Sequence, residues 1–545
     1  MRERARVVLS VARDATLLRI ELAYLGFTMS EAATWMAILV YAYGVGGAGL
    51  AAVFAAIQLV PAGILAPMLA AAGDRRRREV VLRVGYLAQA STMAATALAL
   101  ASDAHVVVVA ASATLAAVSV TITRPVQAAI LPGITHSPGD LTAANAVSGL
   151  VENLGTFAGP LVGGLLLLGS EPAAVFATFA AVSMVGALLV SRLPTVLDLA
   201  PKPAPSGPRT ALGATFAGMT AVRTDTGVLV IVILLAALDV AIGALDVLYV
   251  AAAIELLGAG EAGAGFLYAA FGLGGIVAIG LTVALVGRRR MTPAFAGGIG
   301  LFGAPVAAVG LAPWIVTAPI LFAASGAGYS LASVAGRTLL QRVAPEVVLA
   351  RVFGVLEGLS MFALALGSLT IGGLIAVFGV GGALIAAGIL VPVVVVVAWL
   401  RLAALDRHAR APDPEALALL RAIPIFAPLS APSMERILGE LSRVDVPAGA
   451  ELIREGEPGD RFYVIAEGRV AVSRSGIPIR EEGPGEYVGE IALLRDVPRT
   501  ATVTALTPVR VIAIERERFL EAVTGHARSR ERAEAVVERR MLDDD

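Results

Sequence analysis

Two stretches of this chain, Ala262–Val286 and Val380–Leu400, contain no charged residue at all. A helix needs about 20 mostly apolar residues to cross about 30 Å of hydrocarbon. In lipid the backbone must satisfy its own polar groups, so such stretches become helices and not loops. Twelve segments of this kind can be laid out, near residues 17–43, 47–70, 80–101, 106–128, 143–168, 172–191, 227–254, 262–286, 293–312, 314–338, 350–377 and 380–402. Composition agrees: 57% of residues are hydrophobic and 16% charged, against about 25% charged in ordinary soluble proteins. This composition argues against a large soluble enzyme and excludes a disordered chain. No short apolar core is followed by a small-residue cleavage site, so the first segment reads as a permanent span.

The loops test this layout independently, because Lys and Arg collect on the cytoplasmic side. One set of loops holds Arg75 to Arg78, then Arg192, Lys202, Arg209 and Arg223, then Arg288 to Arg290, then Arg337, Arg342 and Arg351. Both ends of the apolar region are also basic, with Arg2, Arg4, Arg6 and Arg13 before it and Arg401, Arg407 and Arg410 after it. The opposite loops hold Asp103, Glu171, Glu255 and Glu261. Both termini are therefore expected in the cytoplasm, with the chain in the cell membrane. The proline-rich segment 194–226 reads as a linker between six-helix halves at 1–193 and 227–405. Leu150-Val151-Glu152 before Gly159-Pro160-Leu161-Val162-Gly163-Gly164 is echoed by Leu356-Glu357 before Gly367-Ser368-Leu369-Thr370-Ile371-Gly372-Gly373. Parallel halves of this kind hold a small-molecule substrate near the midplane.

Charges inside spans are costly, and by default they mark function. Arg124, Glu152, Asp239, Asp246 and Glu357 are such residues. Asp239 and Asp246 are seven apart and share a helix face. A buried carboxylate holds its proton more tightly, as proton coupling requires. The other reading is structural ion pairing, Arg124 with Glu152 and Arg337 with Glu357. Arg19 and Glu21, near the membrane entry, are read as snorkelling. Gly155, Gly159, Pro160, Gly163 and Gly164 lie within one span. Glycines permit close helix packing and proline permits a bend; plain small-residue packing is the alternative.

The run Gly155-Thr156-Phe157-Ala158-Gly159-Pro160-Leu161-Val162-Gly163-Gly164 resembles motif C, the antiporter motif of drug–proton exporters in the major facilitator superfamily. Arg124-Pro125-Val126-Gln127 resembles motif B, whose arginine is linked to proton coupling. Asp74-Arg75-Arg76-Arg77-Arg78 resembles motif A, the cytoplasmic gating latch, although Ala70 and Arg77 stand where glycines are usual. The resemblance covers residues 15–402 and implies proton-coupled efflux of a small organic compound, with Asp74, Arg75 and Arg78 in the latch.

From about Pro414 the pattern changes to short β-type runs, Glu451–Arg454, Arg461–Ala466, Arg469–Ser473 and Val509–Ile514, with glycine turns between them. These indicate a small β-barrel or jelly roll with flanking helices over 413–542. Charged residues concentrate here. In Gly489–Val503 a glycine opens a short helix whose free N–H groups suit an anion. Arg499 suits a phosphate, and Glu490 a sugar hydroxyl; a loop with a surface Arg–Glu pair is the alternative. The stretch resembles the phosphate-binding cassette of cyclic-nucleotide-binding domains, as in the catabolite activator protein. Ile425-Phe426, Pro447-Ala448-Gly449, Glu455-Gly456-Glu457, Phe462-Tyr463-Val464-Ile465 and Glu467-Gly468 extend the resemblance over about 423–525.

By that resemblance cAMP or cGMP is a regulatory ligand. Glu490 would hold the ribose 2′-hydroxyl and Arg499 the cyclic phosphate, while the amides of Gly489, Ile491, Ala492 and Thr500 complete the cradle. Arg528–Leu542 would be a lid helix, with Val536, Val537 and Met541 against the base or in ordinary packing. Arg499→Glu would abolish binding and leave the fold intact.

No cysteine is present, and the four histidines (His105, His136, His408, His526) lie far apart. No metal site and no enzymatic activity are therefore expected. A net charge of −1 gives no reason to expect nucleic acid as a partner. The function expected is a transporter, specifically an antiporter for efflux under cyclic-nucleotide control. A membrane-anchored receptor and a metabolite importer are the alternatives.

Overall fold

The computed structural model describes residues 15–73, 78–134, 138–191, 219–220, 222–283, 291–344, 346–407, 414–427, 429, 434, 437–438, 441–524 and 527–543. The chain divides into two compact units, one formed by Met1–Leu340 and Arg351–Leu402, the other by Gln341–Ala350 and Ala403–Asp545.

The first unit is helical: α1 (Ala15–Gly73), α2 (Arg78–Ala101), α3 (Val106–Ile134), α4 (Pro138–Leu167), α5 (Pro172–Ser191), α6 (Thr226–Ala251), α7 (Gly260–Val283), α8 (Thr292–Leu311), α9 (Thr317–Val343) and α10 (Glu346–Arg407). Among the described residues nine helices are long and apolar enough to cross a membrane. Two of them are double-length and broken within. The backbone of α1 leaves helical geometry at Gly46 and Gly47 (φ 63°), and that of α10 does so at Gly379 (φ 69°). Positive φ is costly for a residue with a Cβ, so glycine stands at each break. These breaks fall where the sequence separates segments 17–43 from 47–70 and 350–377 from 380–402. At its start α6 is capped by Asp225, whose carboxylate accepts from Gly227 N (2.7 Å) and Val228 N (3.1 Å). Its far end widens into a π-helical turn, Ala252–Leu256.

The second unit takes in the last residues of α9, both ends of α10 and then α11 (Pro414–Ala422). Two antiparallel four-stranded sheets then pack face to face, in the orders β1-β8-β3-β6 and β2-β7-β4-β5. The strands are β1 (Ser442–Val446), β2 (Glu451–Ile453), β3 (Arg461–Glu467), β4 (Val470–Arg474), β5 (Ile477–Glu482), β6 (Tyr487–Val488), β7 (Thr502–Ala505) and β8 (Val509–Glu515). Helix α12 (Glu490–Arg495) lies between β6 and β7, and α13 (Arg516–Thr524) and α14 (Ala527–Asp543) close the unit.

Successive strand side chains point to opposite faces, and β3 uses both. Tyr463 and Ile465 join Val511 and Ala513 of β8 in the core between the sheets. Phe462 and Val464 join Ile512 and Ile514 in a second core beneath the helices. There Phe462 stacks on Phe519 (4.6 Å between centroids) and meets Phe426 edge-on at 5.4 Å. The β-sandwich, the helix after Gly489 and the terminal helix are as the sequence predicts. Strands β1, β5, β6 and β7 escape it: β6 is only two residues long, and the exposed faces of the other three carry polar residues that blur the apolar run.

Candidate functional site

Gly489, Glu490, Ile491, Ala492, Arg499 and Thr500 all line one pocket of the second unit, together with Ile453, Val472 and Arg480. Gly489 has φ +95°, and a Cβ there would lie 2.5 Å from Arg499 Nη1 and 3.0 Å from the Arg461 carbonyl oxygen. The left-handed turn and the close arginine together require glycine. Arg499 is turned inward and its side chain is 4% exposed. Its Nη1 donates to Gly489 O (3.0 Å), and its Nη2 donates to Arg461 O (2.7 Å) and Asp460 Oδ1 (3.0 Å). A guanidinium has five N–H donors, so these three bonds leave two for an anion. The loop is fixed from behind, with Arg499 N donating to Glu457 O and Gly456 N to Arg499 O, both at 2.8 Å.

This burial changes one expectation. A glutamate at 499 would set a carboxylate against two carbonyl oxygens and Asp460, so charge reversal would destabilise the unit as well as remove binding. The alternative of a surface Arg–Glu pair also gives way, since Glu490 and Arg499 are both buried and are not bonded to each other.

Glu490 is instead held by a residue that the sequence does not single out. Arg540 of α14 donates Nη1 to Glu490 Oε1 (2.7 Å) and to Tyr487 O (2.9 Å), and Nη2 to Glu482 Oε1 (3.2 Å). Its guanidinium lies 4.5 Å from the centre of the Tyr487 ring. Burial works against the Arg540 charge, but Glu490 and Glu482 outweigh it and hold the group above its ordinary value. Burial likewise pushes the Glu482 carboxyl up, although Arg540 and Arg480 pull it down. Of the residues named for a lid, Val537 is buried and Val536 packs on the helix-side core. The side chain of Met541 lies outside the described residues.

In the first unit Arg124 pairs with Glu152, as one reading of the sequence has it, and also with Glu31 at 2.6 Å. Glu31 was not anticipated; it lies 93 residues from Arg124, and nothing local marks the contact. Arg337 of α9 pairs with Glu357 of α10 at 2.9 Å, as the other half of that reading has it. Asp239 accepts from Ser360 Oγ (2.5 Å), and Asp246 accepts from Tyr268 Oη (3.1 Å). Glu21 does not snorkel: it is buried and accepts from Ser148 Oγ. Asp74 and Arg75 lie outside the described residues, as does the side chain of Arg78, which opens α2.

The small residues of α4 serve two neighbours. A Cβ on Gly155 or Gly159 would strike Thr28 or Met29 of α1. Gly164 faces α7, where a Cβ on Gly265 would lie 2.6 Å from Gly164 Cα and 2.7 Å from Pro160 O. Further along the same seam a Cβ on Gly272 would lie 2.9 Å from Phe157 Cα. The motif is thus a packing seam, with α1 on one side of α4 and α7 on the other. Helix α7 supplies matching glycines that the motif alone does not reveal. Among the described residues no group of three or more His, Asp or Glu side chains is placed to hold a metal ion.

Comparison with known proteins gives two family matches. The model described as Major Facilitator Superfamily matches residues 20–323, and the model described as Cyclic nucleotide-binding domain matches residues 443–526. A cAMP-dependent protein kinase regulatory subunit of Dictyostelium discoideum is 41% identical over 87 residues, 14% of this chain and 27% of that one. A cyclic nucleotide-gated potassium channel of Mesorhizobium japonicum is 41% identical over 101 residues, 18% of this chain and 28% of that one. Among solved structures, the regulatory subunit of a cAMP-independent protein kinase A from Trypanosoma brucei has 26% identity and a TM-score of 0.21, over 23% of this chain and 44% of that one. The chain spans about a quarter of the length of the first curated relatives it matches.

Proposed function

Because the chain belongs to the Major Facilitator Superfamily and carries a cyclic nucleotide-binding domain, we propose that it is a secondary active transporter regulated by a cytoplasmic cyclic nucleotide. The direction proposed is proton-coupled efflux of a small organic compound across the cell membrane. Twelve spans in two six-helix halves fit the two glycine breaks, which divide each double-length helix into two. The basic loops favour cytoplasmic termini.

The observation that carries the nucleotide reading is the convergence of Glu490 and Arg499 on one pocket beside the left-handed Gly489. Glu490 offers the acceptor for the ribose 2′-hydroxyl. Arg499 has two donors left for the cyclic phosphate, and the amides of Gly489, Ile491, Ala492 and Thr500 line the remainder. Relatives named for cAMP favour cAMP, while the Thr500 hydroxyl keeps cGMP in the comparison.

For transport, Arg124 and Arg337 each tie neighbouring helices through carboxylates. Their side chains are 42% and 43% exposed. Charge facing lipid is costly, so these pairs are read as lining a water-filled path. Asp239 is bonded to a neutral serine and is free to exchange a proton as its helix moves. The Gly265–Gly164 seam lets the two halves rock against each other. Nucleotide must bind two transport states unequally if it is to shift them.

The test is twofold. Calorimetry with cAMP and cGMP on the full chain reads binding. Efflux from vesicles with an imposed pH gradient, across a panel of organic compounds with and without cAMP, reads transport. Binding without any nucleotide effect on flux would leave a receptor and remove the regulated transporter.

A further inference from the structure

We propose that Glu21 is a further proton-carrying residue of the transport path, protonated while α4 is packed on α1 and discharged when α4 bends away. This rests on the proton-coupled reading above and adds to it a carboxyl that no motif marks.

Glu21 is 4% exposed. Its Oε1 accepts from Ser148 Oγ of α4, and among the described residues Oε2 has no hydrogen-bond donor. The neighbouring carboxylates are placed differently. Glu31 and Glu152 both pair with Arg124, and their side chains are 31% and 41% exposed. A cation and water therefore both support their charge. Glu21 has neither, since no arginine, lysine or histidine pairs with it among the described residues. A buried carboxylate with a single neutral donor is an uncompensated charge, and burial makes that strongly unfavourable. With a proton on Oε2 the group is neutral and keeps its bond to Ser148.

Glu21, Tyr24, Thr28 and Glu31 recur at steps of three, four and three along α1, so they share one helix face. Glu21 and Glu31 are then about 15 Å apart along the axis. Tyr24 stands between them, within electrostatic reach of Glu21, Glu31, Glu152 and Arg124. Tyr86 of α2 is within reach of Glu21 and Tyr24, and its buried hydroxyl has no partner among the described residues. From α5 the same cluster receives only the apolar Ala187, Val190 and Leu189. The surroundings thus offer hydroxyls and apolar groups to Glu21, and the cation is kept for the other two carboxylates.

The site is closed by the fit of α4 on α1. A Cβ on Gly155 or Gly159 would strike Thr28 or Met29, so the two helices touch through their backbones just beyond Ser148. Pro160 lies within α4 and permits a bend. A bend that draws Ser148 off α1 removes the one donor and admits water. The Glu21 O–H bond then breaks, its proton passes to water, and the carboxylate left behind is hydrated. Repacking of α4 requires the proton back, so one proton is exchanged each time this seam opens and closes.

The experiment is infrared titration of the full-length chain in nanodiscs, read at the carbonyl stretch that a protonated carboxyl shows and a carboxylate lacks. Subtracting Glu21→Gln from wild type at neutral pH should leave one such band. Ser148→Ala should move that band to higher frequency, because its hydrogen bond is gone. In vesicles loaded with the compound panel above, Glu21→Gln should lose the stimulation by an imposed pH gradient and keep downhill efflux. Glu21→Asp, which still ionises, should recover part of the stimulation. A difference spectrum without the band shows a charged Glu21 and overturns the proposal. So does a Glu21→Gln chain that loses downhill and gradient-driven efflux equally, which marks a merely structural role. If Glu21→Gln does not fold, Ser148→Ala decides alone, and an unshifted carbonyl spectrum overturns the proposal. A wild-type chain whose efflux ignores the pH gradient defeats the proton-coupled reading itself. Wild-type stimulation in Glu21→Gln defeats this inference alone.

Discussion

Replacing Arg499 with alanine removes three hydrogen bonds at once, and their environments set the cost. Two run to the carbonyls of Gly489 and Arg461 at 3.0 and 2.7 Å, from a side chain that is 4% exposed. Hydrogen bonds to a charged group contribute about 1.5–3 kcal/mol each, so the pair is worth about 3–6 kcal/mol. The third runs to Asp460, whose side chain is 66% exposed, and water replaces most of its value. A loss of about 3 kcal/mol multiplies the open population about a hundredfold. Hydrogen–deuterium exchange at β3 and α12 in the full chain reads this directly. Arg499→Ala is expected to exchange at least about a hundredfold faster there and to give no heat with cAMP. Exchange in the first unit should stay unchanged. Arg499→Lys keeps the charge but loses the fork, so it should fall between wild type and alanine in both readouts. Wild-type exchange in Arg499→Ala would refute the inward-facing guanidinium, and wild-type affinity would refute its role on the phosphate.

Three further outcomes follow from the same geometry. Glu490→Gln should erase the preference for cAMP over 2′-deoxy-cAMP in calorimetry; a preference that survives would assign the hydroxyl to another group. Glu152→Gln and Asp239→Asn should lower efflux driven by an imposed pH gradient in vesicles, and full activity would remove those carboxylates from proton coupling. Gly265→Val inserts a side chain where even a Cβ would sit 2.6 Å from Gly164 Cα. Such overpacking costs about 1–3 kcal/mol and should impede transport while leaving cAMP binding intact, which transport and calorimetry on one preparation would check.

Legibility in the sequence tracked whether a feature is local. The long apolar helices follow from segment length, and the glycine breaks at Gly47 and Gly379 fall on the expected boundaries. The pocket residues 489–500 are nearly contiguous, so one stretch of chain carries its own chemistry. The partners brought in by folding were not readable. Arg540 is one of several arginines in a charged terminal segment, and nothing in that segment marks it as the one that reaches Glu490, 50 residues away. Glu31 joins Arg124 across 93 residues. Gly265 and Gly272 are ordinary glycines of an apolar helix until α4 is packed on them. Arg499 could be read as an anion site, but its second role, bracing the Gly489 turn, depends on an inward rotamer that no spacing reveals.

The regulated-transporter account is tested most directly by asking whether nucleotide moves the helical unit. The chain contains no cysteine, so two introduced cysteines carry spin labels without background. Ser102 and Trp314 are exposed residues at helix ends, and Ser102→Cys with Trp314→Cys allows the distance between those two ends to be measured in nanodiscs. Saturating cAMP should redistribute the populations of that distance, and the same chain carrying Arg499→Ala should not respond. Identical distance distributions with and without cAMP, in a chain that calorimetry shows to be fully occupied, would contradict the account.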